Sequence, residues 1–196
     1  MGNVMFNLGW NHVGTAARAQ YLCGYCGSNV GPNQSYQAHD QTTGRVAYIF
    51  ICPTCSNPTY IDPAGKQTPA PRLGAEVKGI SDAGVQTLYN EARDCTAAGA
   101  YTAAVMVCRK ILMHVAVQQK AKPDEKFAYY VDYLDKNHFI PPGGKRWVDA
   151  IRQKGNEANH EIVVMTEADA QQIMAFVEHF LRTVYELPSM LPPVTP

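Results

Sequence analysis

The chain divides into a first part without a sustained hydrophobic period and a second part in which apolar residues recur at helical spacing. From Ser81 onward, apolar side chains repeat at intervals of three and four residues, which places them on one face of an α-helix. Gly99, Pro123 and the run from Pro141 to Gly144 interrupt this pattern, and Pro188 closes it. The pattern predicts a helical bundle of about five helices with short connections. The five helices begin near Ser81, Ala100, Phe127, Trp147 and Thr166.

Composition separates the helical part from the residues before it. Residues 1–61 are rich in Gly, Asn, Cys and Tyr, and the Pro- and Gly-containing residues 62–80 are typical of a linker. Residues 81–187 make up the predicted bundle, and residues 188–196 form a Pro-rich tail. We therefore predict an α+β fold, mainly α, with a small N-terminal domain and a larger helical domain.

Two Cys-x-x-Cys pairs lie in the N-terminal domain, Cys23 with Cys26 and Cys52 with Cys55. The 25 residues between the pairs include β-forming side chains that follow Gly44, which predicts a β-hairpin. Two such pairs are typical of a tetrahedral zinc ribbon, and four thiolates leave the ion no open position for catalysis. We predict a structural zinc site. Redox-active pairs or disulfides are the alternative, but the βαβ pattern of a thioredoxin-like motif is missing from the sequence.

The remaining cysteines and the overall composition narrow the class of protein. Cys95 and Cys108 lie in predicted helices, where a free cysteine usually packs as a small apolar side chain. Lys plus Arg and Asp plus Glu both count 17, so the formal net charge of zero argues against extensive binding of duplex DNA. No segment has the pattern of a membrane span or an export signal, and paired thiols suit a reducing compartment. We expect a cytoplasmic protein without a membrane partner.

The fourth predicted helix carries a polar strip. Arg152, Asn156 and His160 follow one another at four-residue intervals, beside an apolar face that contains Gly155. An arginine, an amide and an imidazole in this arrangement could hold a phosphate and transfer a proton. A solvated helix face, or polar groups that satisfy one another, gives the same pattern. Both interpretations stay open at the level of the residues.

A resemblance to a known family favours a functional interpretation of the polar strip. The residues concerned are the run from Tyr101 to Leu112, then Ile151-Arg152 with the run from Gly155 to His160. On these residues, the segment from Leu88 to Leu187 resembles the DUF4145 family, whose helical domains are placed in the HEPN superfamily. The resemblance implies an HEPN-like bundle that often dimerises. It also implies a protein that acts on or binds RNA or nucleotides, because many HEPN proteins are metal-independent ribonucleases of defence or toxin systems.

The same resemblance suggests roles for individual residues. Arg152, Asn156 and His160 are the catalytic candidates for ribonuclease activity, while Arg109 and Lys154 are candidates for ligand binding. Seven residues separate Arg152 from His160, more than HEPN ribonucleases usually place between their arginine and histidine. A noncatalytic module that binds nucleotides or a protein partner is therefore the alternative function.

Overall fold

The structure, a computed structural model, describes residues 8–14, 20–140, 143–144, 146, 149 and 164–191. The chain forms two compact units that divide between Arg72 and Leu73. The described part of the first unit contains β-strands, and that of the second contains α-helices. The predicted α+β class is confirmed. The segment 62–80, predicted as a linker, is divided between the two units.

Antiparallel β-structure makes up the first unit. Five strands form one sheet in the order β1-β4-β5-β6-β7, and β2 pairs with β3 as a separate hairpin. The strands are β1 (Leu8–Gly14), β2 (Tyr21–Leu22), β3 (Asn29–Val30), β4 (Gln34–Asp40), β5 (Val46–Ile51), β6 (Pro58–Ile61) and β7 (Gln67–Thr68). The hairpin predicted before the second cysteine pair is β4 and β5, and it turns at Gly44, whose φ is 69°.

The core of the first unit is small among the described residues. There, its buried apolar cluster consists of Tyr21, Cys23, Phe50 and Cys52, so two of these four members are cysteines of the predicted zinc site. The Tyr21 and Phe50 rings lie 5.3 Å apart, centroid to centroid. A core of this size removes little apolar surface from water, and small domains of this kind usually depend on a further constraint.

Four of the five predicted helices are found among the described residues of the second unit. They are α1 (Ala83–Ala97), α2 (Tyr101–Gln118), α3 (Phe127–Lys136) and α4 (Glu167–Leu181). A π-helical turn (Arg182–Glu186) and a last helical turn (Leu187–Ser189) continue α4. The other predicted helix, around Trp147 to His160, lies outside the described residues except for Asp149, which is helical, as is Arg146 just before the predicted start.

Side-chain caps set the starts of α1 and α4. Asp82, one residue after the predicted cap Ser81, accepts a hydrogen bond of 2.9 Å from the Val85 amide. Thr166 caps α4 as predicted, and Asp169 completes a reciprocal capping box by accepting from the Thr166 amide at 2.9 Å. These bonds satisfy amides that the helix itself leaves without a partner.

The helical periodicity corresponds to one continuous core. The core is built from apolar side chains of α1 to α4, and its fully buried members include Val85, Tyr89, Cys108, Ile111, Leu134, Ile173, Val177 and Phe180. Cys108 lies in it with its Sγ 3.4 Å from the Met174 Sδ, while Cys95 is half-buried. Among the described residues, no helix combines the length and the hydrophobicity that crossing a membrane requires.

The chain just before α1 is bound to this core. Val77 is 1% exposed, and the Ala75 amide donates to the Glu178 carboxylate at 2.8 Å. The Tyr89 hydroxyl donates to the Ala75 carbonyl at 2.8 Å, and Arg182 donates to the Glu76 carbonyl at 3.2 Å. The second unit therefore begins well before its first helix.

Candidate functional site

The four paired cysteines come together in the first unit. The Sγ atoms of Cys23 and Cys55 lie 3.7 Å apart, as do those of Cys26 and Cys52, and all four lie within 4.8 Å of one another. A tetrahedral ion with sulfur ligands at about 2.3 Å holds those sulfurs about 3.8 Å apart. The cysteines therefore fit a tetrahedral metal ion, and they could hold one without large rearrangement.

Two turns of the same geometry present these thiols. In the first, the Gly27 amide donates to the Cys23 carbonyl at 2.9 Å; in the second, the Ser56 amide donates to the Cys52 carbonyl at 2.8 Å. Gly27 and Ser56 occupy equivalent positions and both have positive φ, 72° and 61°. The left-handed backbone at this point turns the chain sharply enough for both thiols of a pair to face the same side.

The surroundings of the two turns differ. A Cβ atom at Gly24 would lie 2.6 Å from the carbonyl oxygens of both Pro69 and Ala70. Only glycine therefore fits beside the segment that contains these two residues. The Gln67 side chain, on β7, donates to the Leu22 carbonyl at 2.8 Å and ties the segment to the first turn. In the second turn, Pro53 and Thr54 are exposed.

The two thiols of the first pair, Cys23 and Cys26, also differ in pKa. Burial raises the pKa of the Cys23 thiol to about 11, whereas a hydrogen bond from the Ser28 side chain lowers the pKa of the Cys26 thiol to about 6. A metal ion binds the deprotonated form of each cysteine and would therefore displace the proton that burial retains on Cys23.

Arg109 is a buried cation of the second unit. It lies on α2 and is 8% exposed, and its Cζ lies 4.5 Å from the centroid of the Phe127 ring. Its Nη1 atom is buried and has no hydrogen-bond partner in the described part of the chain. Burial lowers the pKa of the Arg109 guanidinium, because removing the cation from water disfavours its charged form.

Phe127 is the first residue of α3, so the Arg109 guanidinium lies beside the start of that helix. The N-cap residue, Lys126, makes no side-chain cap, and the first turn contains no acidic residue. A helix N-terminus carries a partial positive charge. Two positive features are therefore placed together here without a carboxylate on the first turn.

A second arginine of the same unit, Arg93, is buried and has a hydrogen-bond partner. It is buried to a similar extent, at 9% exposed, and its Cζ lies 5.9 Å from the centroid of the Tyr89 ring. Its Nε donates to the Gly74 carbonyl at 3.1 Å. Arg109 has the stacking contact but lacks a corresponding hydrogen bond within the described residues.

Comparison with known families shows which family the helical unit belongs to. A family model described as a domain of unknown function, DUF4145, matches residues 90–191, more than half of the 196 residues. The chain belongs to the DUF4145 family. Arg109 and Phe127 lie inside the DUF4145 match, while the four cysteines precede it. No curated protein and no solved structure matches the chain significantly.

The polar strip predicted within the DUF4145 region lies outside the described residues. This applies to the catalytic candidates Arg152, Asn156 and His160 and to the ligand-binding candidate Lys154. Arg109 is thus the member of the predicted ligand-binding pair whose surroundings are described. His39, considered as a substitute ligand, is exposed on β4 and is not one of the four residues grouped around the metal position.

One polar cluster at the edge of the DUF4145 region was not anticipated. The Asp82 carboxylate accepts from His114 Nε2 at 3.1 Å and from the Gln118 side chain. The Tyr185 hydroxyl donates to Gln118 Oε1 at 2.6 Å. The i, i+4 spacing of His114 and Gln118 on α2 was visible in the sequence, but their contact with Asp82 depends on how α1 packs against α2.

Proposed function

We propose that this protein binds RNA or nucleotides as a zinc-ribbon, HEPN-like member of the DUF4145 family. In this proposal, a phosphate group of the ligand is the counter-ion of Arg109. The observation that carries the proposal is the buried Arg109 guanidinium, whose Nη1 has no partner within the described residues.

A buried charge without a counter-ion is costly. Removing an ion from water costs several kcal/mol even after the protein relaxes, and a cation–π contact returns about 2 kcal/mol. Phe127 supplies that contact, but the described residues supply no carboxylate to complete the compensation. A ligand anion would supply the rest, and arginine suits phosphate because its planar donors match two phosphate oxygens.

The start of α3 supports a phosphate rather than a cationic or neutral ligand. Free amides and the helix dipole favour an anion at an N-terminus, and Lys126 adds a side-chain charge there. Lys122 is already paired with Glu125, at 2.7 Å, so it contributes less to the local positive potential. Arg109, Lys126 and the helix terminus together supply positive charge at this point, which the exposed Asp124, two residues before Lys126, reduces in part.

We assign zinc to the four-cysteine centre. Four thiolate donors with tetrahedral spacing favour zinc over harder ions, and a fully coordinated zinc would stabilise the first unit without taking part in a reaction. Such a role agrees with the two cysteines that belong to the small core of that unit.

Cleavage is the catalytic form of this proposal. Arg152 would stabilise the charge that develops on the phosphorus oxygens, Asn156 would orient an oxygen or His160, and His160 would transfer the proton. The ribose 2′-hydroxyl would lose its proton and attack the phosphorus, while the bond between phosphorus and the 5′-oxygen breaks. The 5′-oxygen would take up a proton as it leaves, and the products would be a 2′,3′-cyclic phosphate and a 5′-hydroxyl, without participation of a metal. A homodimer would join two such strips in one cleft.

The test measures binding and cleavage of a mixed pool of single-stranded and structured RNA by zinc-loaded protein, without added divalent cations. Arg109→Gln is compared with Lys110→Gln, which removes a charge from an exposed position next along α2. We expect Arg109→Gln to weaken binding about tenfold or more, because a charged hydrogen bond is lost, and Lys110→Gln to change it little.

Equal effects of the two substitutions would contradict a specific role for Arg109. Absence of binding by folded wild-type protein would replace the proposal with a protein-docking module, the alternative function. Cleavage that survives in Arg109→Gln but disappears in both Arg152→Ala and His160→Ala would separate catalysis from phosphate binding.

A further inference from the structure

Three polar side chains at the edge of the second unit meet at one point. Asp82 is the N-cap residue of α1, and His114 and Gln118 lie one turn apart at the end of α2. His114 Nε2 lies 3.1 Å from Asp82 Oδ2 and 3.1 Å from Gln118 Nε2, and the Gln118 amide donates to the same Asp82 oxygen. The three atoms therefore form a triangle in which each contacts the other two. We call these three residues the Asp82 cluster.

The protons available to the Asp82 cluster cannot satisfy all three contacts at once. If His114 Nε2 carries a proton, it donates to Asp82, and it then faces the amide nitrogen of Gln118, which is also a donor. If His114 Nε2 carries no proton, it accepts from Gln118, and its lone pair then faces the Asp82 carboxylate. One side of the triangle is unfavourable in either state. Hydrogen bonding alone therefore does not account for the arrangement.

A metal ion bound to all three side chains would remove this conflict. Two ligand atoms at about 2.0–2.1 Å from one ion, in octahedral or tetrahedral geometry, lie about 2.9–3.4 Å apart. Both distances from His114 Nε2 fall in this range. The Asp82 carboxylate and the neutral imidazole offer lone pairs directly. Gln118 offers its Oε1 after a half-turn of the amide, which exchanges oxygen and nitrogen without changing the shape of the side chain.

Neighbouring groups hold two of these side chains in place. Asp82 Oδ1 accepts from the Val85 amide at 2.9 Å, while Oδ2 belongs to the triangle. The Tyr185 hydroxyl lies 2.6 Å from Gln118 Oε1, and it can serve either orientation of the amide because a hydroxyl both donates and accepts. Partners of this kind orient the ligands of metal ions. Tyr185 also belongs to the π-helical turn, an element that is frequent at functional sites.

Charge and exposure also suit a cation. The side chains of Asp82 and His114 are 26% and 49% exposed, so an ion can reach them from solvent. Among the described residues, no lysine or arginine forms an ion pair with Asp82. The positive N-terminus of α1 opposes a cation in part, but Asp82 Oδ1 already accepts from an amide there.

We propose that the Asp82 cluster binds a divalent transition-metal ion, with Asp82 Oδ2, His114 Nε2 and Gln118 Oε1 as ligands and water in the remaining positions. The imidazole ligand favours zinc over Mg²⁺ and Ca²⁺, which prefer oxygen ligands alone. Three partly exposed ligands hold zinc more weakly than four thiolates do, so desalted protein would keep only the zinc ion of the cysteine centre. This site is independent of the proposed function.

The experiment titrates Zn²⁺ into full-length protein whose cysteine centre is loaded with zinc and from which excess metal has been removed. Isothermal titration calorimetry measures the affinity and the number of additional ions. We expect one additional zinc ion per chain, bound about tenfold or more tightly than Mg²⁺. Equal affinities for the two ions would contradict coordination by His114.

Two variants remove a ligand each. His114→Ala and Asp82→Asn should each weaken the binding of the additional zinc ion about tenfold or more. Asp82→Asn retains the cap of α1, and His114 is exposed, so circular dichroism should show that both variants fold. His179→Ala is the matched control, because His179 is also exposed and lies on α4; it should leave the affinity unchanged.

A third variant, Gln118→Glu, distinguishes a metal ligand from a residue that only forms hydrogen bonds. The new carboxylate repels Asp82 when no ion is bound, and it is a charged ligand when the ion is present. We expect Gln118→Glu to lower the free energy of unfolding without added zinc and to tighten zinc binding about tenfold. Binding no tighter than that of wild type would contradict coordination by Gln118.

The remaining outcomes concern the site as a whole. Failure of folded wild type to bind an additional zinc ion would overturn the proposal and leave the Asp82 cluster as a hydrogen-bonded contact between α1 and α2. Equal zinc binding by His114→Ala and wild type would place the ion elsewhere and would overturn it as well. Neither outcome affects the proposed function, because the titration contains no RNA.

Discussion

At the scale of single residues, the two cysteine turns offer a matched pair of backbone tests. Gly27 and Ser56 have the same role and similar positive φ, and a Cβ at Gly27 would meet no atom within 4 Å. Substitutions there consequently report backbone strain alone. We predict that Ser56→Gly raises the free energy of unfolding of the metal-bound first unit by about 0.5–1 kcal/mol, and that Gly27→Ala lowers it by about 1 kcal/mol. Urea denaturation in the presence of zinc measures both, and effects of the same sign would contradict the equivalence of the turns.

Gly24 differs from Gly27 because its constraint is steric. Its missing Cβ faces two backbone carbonyl oxygens at 2.6 Å, and backbone atoms yield less readily than a flexible side chain. We predict that Gly24→Ala destabilises the first unit by about 2 kcal/mol, more than Gly27→Ala, in the same denaturation assay. Equal losses would show that the segment at Pro69 and Ala70 moves aside at little cost.

At the scale of elements, the start of α1 depends on Asp82. Its carboxylate accepts from the Val85 amide, from His114 and from Gln118, and these contacts lower the pKa of Asp82 to about 2. We predict that Asp82→Ala costs about 1 kcal/mol at neutral pH through loss of the cap, while Asp82→Asn retains the cap and loses the charge. Far-ultraviolet circular dichroism during urea unfolding would measure both.

The Asp82 carboxylate should also make the free energy of unfolding depend on pH, and the direction of this dependence follows from its lowered pKa. A pKa that folding lowers from about 3.9 means that the ionised form stabilises the folded state. Because of this charge, wild type should have a higher free energy of unfolding than Asp82→Asn. The difference should be present in full above about pH 5, and it should disappear as the pH falls through about 2. An advantage that grows on acidification would show that the Asp82 charge is unfavourable in the folded protein.

Local sequence signals explain which elements could be foreseen. The start of α4 was predictable because Thr166 and Asp169 form a capping box from adjacent residues, and the start of α1 was misplaced by one residue because Ser81 and Asp82 are both good caps. The contact between Trp10 and Tyr60 could not be predicted, because the two rings meet only through the pairing of four strands. Scattered aromatic residues show no face until the register of the strands is known.

Some features of the candidate site could likewise be predicted from the sequence, and others could not. The four cysteines were predictable from spacing, since ligand geometry fixes how many residues separate two thiols on one ion. Arg109 was a plausible ligand-binding residue, but its lack of a partner within the described residues depends on which side chains pack around it. Proline and glycine content likewise marked residues 62–80 without indicating that Val77 is buried in the helical core.

At the scale of the whole molecule, the two units should respond differently to loss of metal. In the part of the chain that the structure describes, the first unit has a buried cluster of four residues, two of them among the four paired cysteines, whereas the helical core is far larger. We predict that a strong chelator, or Cys52→Ser, unfolds the first unit and leaves the helical circular dichroism signal almost unchanged. Trp10 fluorescence in a Trp147→Phe background reports the first unit, and metal analysis should give one zinc ion per chain. Parallel loss of both signals would mean that the helical unit needs the metal as well.

We propose that Arg109 is kept for a ligand at the expense of stability. The most direct measurement is the free energy of unfolding of the helical unit, with and without a saturating single-stranded RNA, for wild type and Arg109→Met. Methionine keeps a contact with the Phe127 ring and removes the buried charge. Arg93→Met is the control, because it loses the hydrogen bond to Gly74 and should be less stable under both conditions. Without RNA, we predict that Arg109→Met is more stable than wild type by about 1 kcal/mol. With RNA, wild type should gain more stability than Arg109→Met, by about 1.4 kcal/mol or more for binding that is at least tenfold tighter, and the order should reverse. A decrease of about 3 kcal/mol in the free energy of unfolding of Arg109→Met without RNA, or equal stabilisation of both proteins by RNA, would contradict a ligand-binding role for Arg109.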